Sequence, residues 1–282
     1  CVAASSPPSM QRMAGAASGI GYTTAENFAR AGAELILTDI NPDGLESAAV
    51  RLRAVGAKVH TSRVDVSDRA GVFALADWVI NEIGGLDILV NNAGIGHSGE
   101  LAETSLETWE RLLKINVWGV LFHVYAFLPY MIKRRSGQIV NISSGQAFFR
   151  LPTWGAYATT KLLIGAFSEI LHFELKKFGI AVTTVYPFMI NTPFYKNVAA
   201  DTLGAKLSMK LLPYYSMSPE SVGRIIFKAI AKRKNVEMVT LLNDVGFYAR
   251  FLSPVSSLMS SATNMLLAKS PSEYKKPSDV LN

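Results

Sequence analysis

Thiol chemistry is almost absent from this 282-residue chain. Its single cysteine, Cys1, excludes a disulfide scaffold and a thiolate cluster for zinc. Histidine is scarce too: His60, His97, His123 and His172 show no ligand spacing, so no metal site is expected. Charge is low at 18% against 49% apolar residues, which excludes a disordered chain and leaves ample material for a core. No apolar run is long enough for a membrane span, which needs about 18–20 residues. The longest, 118–132, has 15 residues and is interrupted by His123 and Pro129. Neither an internal repeat nor a signal peptide with a basic start is visible, and a cytoplasmic location is expected.

What is present in excess is positive charge, +6 net, and its distribution is uneven. Residues 1–195 hold 16 Lys+Arg and 16 Asp+Glu, whereas 196–282 hold 12 and 6. The longest basic runs, Lys133-Arg134-Arg135 and Lys232-Arg233-Lys234, lack the interleaved aromatics of a single-strand groove. Nucleic acid is therefore not an expected partner, and the triplets read as solvated helix ends.

Short β-branched runs alternate with longer amphipathic stretches. Strands are predicted at 35–38, 58–64, 86–90, 137–142 and 180–186, and helices at 23–31, 44–55 and 70–83. Such alternation predicts an α/β fold, a doubly wound parallel sheet in a single domain, with ligands at the C-terminal strand ends. After Pro193 the rhythm thins. Residues 194–217 read as an apolar substrate flap, followed by a helix near 219–232, a strand at 236–241 and an amphipathic tail around 255–266.

Two segments carry phosphate and ribose chemistry. Gly15-Ala16-Ala17-Ser18-Gly19-Ile20-Gly21 opens the first helix, where glycines let the backbone approach a pyrophosphate and free amides favour its charge. Asp39 ends the next strand, 18 residues after Gly21, where a carboxylate accepts ribose hydroxyls and repels a 2′-phosphate. Neither Ile40 nor Asn41 supplies a cation, so NAD is favoured over NADP.

Gly15-x-x-x-Gly19-x-Gly21, Asn91-Asn92-Ala93-Gly94 and Tyr157-x-x-x-Lys161 follow one another on one chain, which thereby resembles the short-chain dehydrogenase/reductase family. The resemblance covers 13 to about 193 and implies a Rossmann-like sheet of about seven strands. It implies that Asp65 and Val66 face the adenine and that Asn92, Ala93 and Gly94 wall the cofactor ribose. Pro187, Ile190 and Thr192 would lie over the nicotinamide, with Gln146, Phe188 and Phe194 at the substrate.

Tyr157 and Lys161 stand one helical turn apart on one face. A tyrosine hydroxyl, with an ordinary pKa of about 10, is a poor base at neutral pH, and a nearby ammonium favours the phenolate that proton abstraction needs. Ser144, 13 residues upstream at a strand end, lies at the family's distance for the serine that polarises the substrate oxygen. Asn116, in Lys114-Ile115-Asn116-Val117-Trp118-Gly119, matches the asparagine of the family tetrad, whose implied role is to hold a relay water. Ser143 falls one residue off that spacing.

Two departures from the family pattern stand out. The segment before the glycine turn, Ser6 to Ala14, carries prolines and Arg12 where an apolar central strand belongs. Either the first strand is lost or replaced, or Met10–Ala14 forms a poor strand with Arg12 directed toward an end, and residues 1–12 are read as an atypical segment that is not the ancestral start. They precede a core at 13–193, the flap at 194–217 and a C-terminal part at 218–282. The second departure is Phe188, where the family has glycine. The implied activity is NAD-dependent interconversion of a secondary or apolar primary alcohol and its carbonyl. The apolar flap favours a steroid-, retinoid- or lipid-like substrate. Expected associations are a homodimer or homotetramer and peripheral membrane contact through the tail. The alternatives are an NADPH-dependent lipid-ketone reductase and a non-catalytic dinucleotide-binding protein.

Overall fold

A computed structural model describes residues 10–149, 151–192, 194, 210 and 216–249. Its centre is a parallel sheet of seven strands in the order β3-β2-β1-β4-β5-β6-β7, the doubly wound arrangement the alternation predicts. The strands are β1 Met10–Ala14, β2 Glu34–Asp39, β3 Val59–Arg63, β4 Ile88–Asn91, β5 Gly137–Ile142, β6 Ile180–Tyr186 and β7 Val236–Met238. The polar, proline-flanked start does reach the centre of the sheet. β1 pairs in register with β2 (Met10 opposite Glu34) and with β4 (Gln11 opposite Ile88). The sheet thus takes in three residues, 10–12, that the sequence groups with the atypical segment.

The helices are α1 Gly19–Arg30, α2 Pro42–Ala54, α3 Arg69–Trp78, α4 Leu106–Leu113, α5 Gly119–Arg134, α6 Gln146–Phe149, α7 Gly155–Leu175, α8 Pro219–Ala231 and α9 Leu241–Ala249. Several begin where a side chain accepts a backbone amide: Asn41 for α2, Asp68 for α3, Ser105 for α4 and Ser218 for α8. The strand foreseen at 236–241 stops at Met238, because Leu241 already starts α9.

Two apolar layers cover the sheet. On one face α1, α2 and α8 bury Phe28, Leu45, Leu52, Val222 and Ile226 against Leu35, Leu37 and Val140. On the other, α3, α5 and α7 bury Val72, Leu75, Phe127, Met131 and Ile164 against Ile36, Leu89 and Ile139. The helical stretch Leu106–Arg134 is long and apolar enough by composition to cross a membrane, although the uninterrupted apolar run within it is too short. Here it packs on the sheet through Val120, Val124, Phe127 and Met131. The predicted amphipathic tail and most of the flap lie outside the described residues.

Candidate active site

A cavity of about 340 Å³ follows the C-terminal ends of β1 to β6, running from Asp39 and Ile40 to Tyr157 and Lys161. All strands are parallel, so their connecting loops converge on this edge and chemistry from distant sequence segments meets there.

At one end the turn before α1 is built for close approach. Gly15 holds a left-handed φ of 67°, and a Cβ on Gly21 would sit 2.0 Å from the Gly15 carbonyl oxygen. The Asn92 amide donates to that same carbonyl at 2.9 Å and fastens the turn to the strand end beyond β4. The N-terminus of α1 opens on the cavity without a side-chain cap, although Ser18 stands at the N-cap, and its first turn carries no acidic residue. Uncapped amides beside glycine backbone suit a pyrophosphate, so the residues present fit a dinucleotide. Asp39 lines the same end, its carboxylate oxygens accepting the Ala17 and Asn41 amides at 3.0 Å each.

At the other end the structure brings Ser144, Tyr157 and Lys161 to one wall. Ser143 and Ser144 both line it, and their hydrogen bonds separate them. The Ser143 hydroxyl donates to the Lys161 carbonyl at 2.7 Å, whereas Ser144 Oγ accepts the Gln146 amide at 3.2 Å and keeps its own proton to give. Lys161 is buried, its Nζ donating to the Ile142 carbonyl at 2.9 Å and lying 5.9 Å from the Tyr157 ring centre. Burial holds its pKa down to about 8.

Asn116 stands behind this wall, fully buried in the wide turn Lys114–Trp118 that interrupts the regular bonding between α4 and α5. Its amide clamps the loop after β4, accepting the Ile95 amide at 2.8 Å and donating to the Ile95 carbonyl at 2.9 Å and to Thr160 Oγ1 at 3.1 Å. The side chain thus has three protein partners, and Oδ1 keeps one lone pair beside the Ile95 amide it accepts. A Cβ on Gly94 would lie 3.1 Å from Asn116 Oδ1 and 3.3 Å from Lys161 Nζ, so Gly94 leaves room for both.

The family model described as short chain dehydrogenase matches residues 12–203. The chain belongs to the short-chain dehydrogenase family. It is 35% identical over 235 residues to the oxidoreductase EphD of Mycobacterium tuberculosis, covering 80% of this chain and 40% of that one. The chain therefore spans well under half the length of that relative. Human estradiol 17-beta-dehydrogenase 11 is 38% identical over 186 residues, 65% of this chain and 62% of that protein. A short-chain dehydrogenase/reductase from Burkholderia phymatum, solved in complex with NAD, superposes with a TM-score of 0.80 at 26% identity, covering 95% of this chain and 98% of that one.

In this short-chain dehydrogenase most of the residues singled out from sequence line one cavity: Gly15, Ser18, Gly19, Ile20, Asp39, Ile40, Asp65, Val66, Asn92, Ala93, Gly94, Ser144, Tyr157, Lys161, Pro187, Ile190, Thr192 and Phe194. Gly21 does not line it and acts through packing on Gly15. Gln146 and Phe188 lie outside it as well. The Gln146 side chain accepts the Leu151 amide, and the Phe188 ring stacks on Phe149 at 4.6 Å. Sequence reasoning missed Ile95, Ile115, Ile142 and Met189 on the wall, since apolar residues at strand and loop ends look like ordinary core. It missed Arg63 also. This residue lies opposite Asp39 in the β2–β3 register, and its Nε donates to the Ile40 carbonyl at 3.2 Å, beside the Asp39 end of the cavity.

The wall carrying Tyr157 is held under strain. Trp154 meets the Tyr157 ring edge-on at 5.7 Å and Phe194 packs on it at 5.6 Å. Just before Trp154, Thr153 adopts a left-handed φ of 68°, a true outlier for a β-branched residue. Two cross-loop bonds hold it there, Gly99 N to Thr153 O at 2.7 Å and Ser98 Oγ to Thr153 Oγ1 at 3.2 Å. Thr153→Gly is expected to raise the thermal midpoint, because relief of about 1–3 kcal/mol exceeds about 1 kcal/mol of glycine entropy. The same change should lower kcat severalfold by freeing Trp154 from Tyr157. Melting and turnover measured together check this; a lower midpoint would mean the residue carries no strain.

Proposed function

We propose that this oxidoreductase interconverts a secondary, or apolar primary, alcohol and its carbonyl, with NAD as the preferred dinucleotide. The observation that carries the reading is one cavity with Asp39 at the adenosine end and Ser144, Tyr157 and Lys161 together at the other. When bound, the dinucleotide supplies hydride transfer at its nicotinamide ring. The chain's residues handle the proton and the oxygen. Ser144 donates its free hydroxyl proton to the substrate oxygen, and Tyr157 takes the alcohol proton or returns it to the carbonyl oxygen. Lys161, as the ammonium, lowers the cost of the phenolate and holds the nicotinamide ribose. Phe194 and Met189 give that end an apolar lining, with Trp154 packed behind Tyr157, which supports a steroid-, retinoid- or lipid-like substrate. Exposed Trp118 just before α5, Tyr125 on α5 and Ile170 on α7 support association into a homodimer or homotetramer. The tail remains our candidate for peripheral membrane contact on a cytoplasmic enzyme.

A second reading rests on Arg63, which offers the adenosine end a cation for a 2′-phosphate. Absorbance at the nicotinamide band, followed with NAD and NADP across secondary alcohols, steroids and retinoids, tests both. We expect turnover with NAD to dominate. Arg63→Ala should leave it unchanged while lowering any NADP-dependent kcat/KM about tenfold. Dominant NADP use abolished by that substitution would reverse the cofactor assignment, and no turnover with either dinucleotide would favour the non-catalytic alternative.

A further inference from the structure

The N-terminal edge of the sheet, opposite the catalytic cavity, gathers charge that the sequence scatters. Three helix ends meet there. α5 closes with Lys133, Arg134 and Arg135, α7 runs into Lys176 and Lys177, and α8 is followed by Lys232, Arg233 and Lys234. Hydrogen bonds tie them into one surface. The Arg135 guanidinium donates to the Lys177 carbonyl at 2.9 Å, and that of Arg233 donates to the Gly137 and Gly179 carbonyls at 3.1 Å each. All eight cations are exposed. Asp87 pairs with Arg134 and Glu237 with Lys234, and Glu174 is the other carboxylate on the adjoining turn of α7. The side chains of Lys133, Lys176, Lys177 and Lys232 form no ion pair among the described residues.

Helix dipoles favour cations at these ends, which accounts for some of them. It does not account for two further features. Arg135 and Arg233 hold left-handed φ values of 52° and 50°, positions where glycine is the unstrained choice, as Gly179 is at the end of α7. The cations are also fringed by apolar side chains in the open: Phe173 is 68% and Val236 49% exposed. The rings that lie against these cations, Tyr130 at Arg134 and Phe178 at Lys177, are half-buried rather than open for base stacking. A polycationic face with open apolar groups at its margin matches the anionic headgroup layer of a bilayer better than a nucleic-acid strand.

We propose that this face docks the protein on anionic lipid surfaces, with the catalytic cavity turned to the aqueous side. The docking surface is distinct from the C-terminal tail and does not depend on the redox reading.

The test uses the full chain, with vesicles of phosphatidylcholine alone and of phosphatidylcholine with about one third phosphatidylserine. Co-sedimentation is expected with the anionic vesicles only, weakening steeply as ionic strength rises past the screening range. Each lysine neutralised should weaken binding about fivefold, and glutamate reverses the charge besides, so Lys176→Glu, Lys177→Glu and Lys232→Glu combined should lower it well over about a hundredfold. That variant should stay folded, with a midpoint lowered only by the lost helix-end charges, and should keep its turnover of a soluble substrate, since none of the three residues lines the cavity. Undiminished vesicle binding by the folded variant would overturn the proposal by moving the contact elsewhere, the tail included. So would wild-type protein that ignores anionic vesicles, or one that binds single-stranded RNA more tightly than vesicles through the same lysines.

Discussion

Tyr157→Phe should lower kcat by about three to four orders of magnitude while the dissociation constant for the dinucleotide changes little. The substitution removes one oxygen from a ring that Trp154 and Phe194 hold at 5.7 and 5.6 Å, and those contacts do not involve the hydroxyl. The wall and the phosphate end therefore stay intact. Only the proton transfer is lost. Ser144 can still polarise the substrate oxygen, but no described side chain beside it offers another base: Ser143 is committed to the Lys161 carbonyl and Asn116 to Ile95 and Thr160. Stopped-flow turnover with fluorescence titration of the dinucleotide checks both halves. A variant within tenfold of the parent activity would remove Tyr157 from the chemistry.

Lys161→Met is expected to make the protein more stable and inactive. The ammonium is buried with one hydrogen bond, to the Ile142 carbonyl, and burial holds its pKa at about 8, below the usual 10.5. The folded chain therefore binds this proton less tightly than the unfolded chain does. Below about pH 8 the full penalty is present, and between about 8 and 10.5 the unfolded state holds more protons, so this group's contribution to stability climbs with pH. The penalty at neutral pH is roughly 3 kcal/mol, from which about 1 kcal/mol for the lost hydrogen bond must be subtracted. Denaturant unfolding at pH 7 and pH 10 should show the variant ahead at pH 7 and its lead shrinking at pH 10. Turnover should fall at least a hundredfold, because the phenolate loses its cationic neighbour. A variant less stable at pH 7 would mean the ammonium is better compensated than its single bond suggests. A stabilising but inactivating substitution is the mark of a residue kept for function against stability.

Local chemistry made much of this legible. Gly15, Gly19 and Gly21 announce a backbone turn because few other residues tolerate a left-handed φ or contact as close as 2.0 Å. The β-branched runs of β5 and β6 were bounded to the residue, since both strands are buried and bracketed by clear breakers. Where two signals conflict, the sequence leaves the outcome open. Met10–Ala14 reads as a poor central strand, yet two neighbours, Glu34–Thr38 and Ile88–Asn91, offer it a complete set of backbone partners, and tertiary pairing overrides weak propensity. The motif position of Phe188 points to the substrate, and only the fold shows that its ring also finds a stacking partner in Phe149.

By itself the sequence determined the period of most strands, the glycine turn and the candidate groups Ser144, Tyr157 and Lys161, because propensity, steric freedom and acid–base character belong to residues and their near neighbours. Only the tertiary structure decided what these groups touch. It committed Ser143 to Lys161 and left Ser144 free, spent the Asn116 side chain on a clamp, and drew the basic triplet of α5 together with that after α8. It also set Arg63 beside the site of Asp39. Those outcomes depend on strand order and register, which bring residues tens of positions apart within hydrogen-bond reach, and no local pattern encodes such a distance.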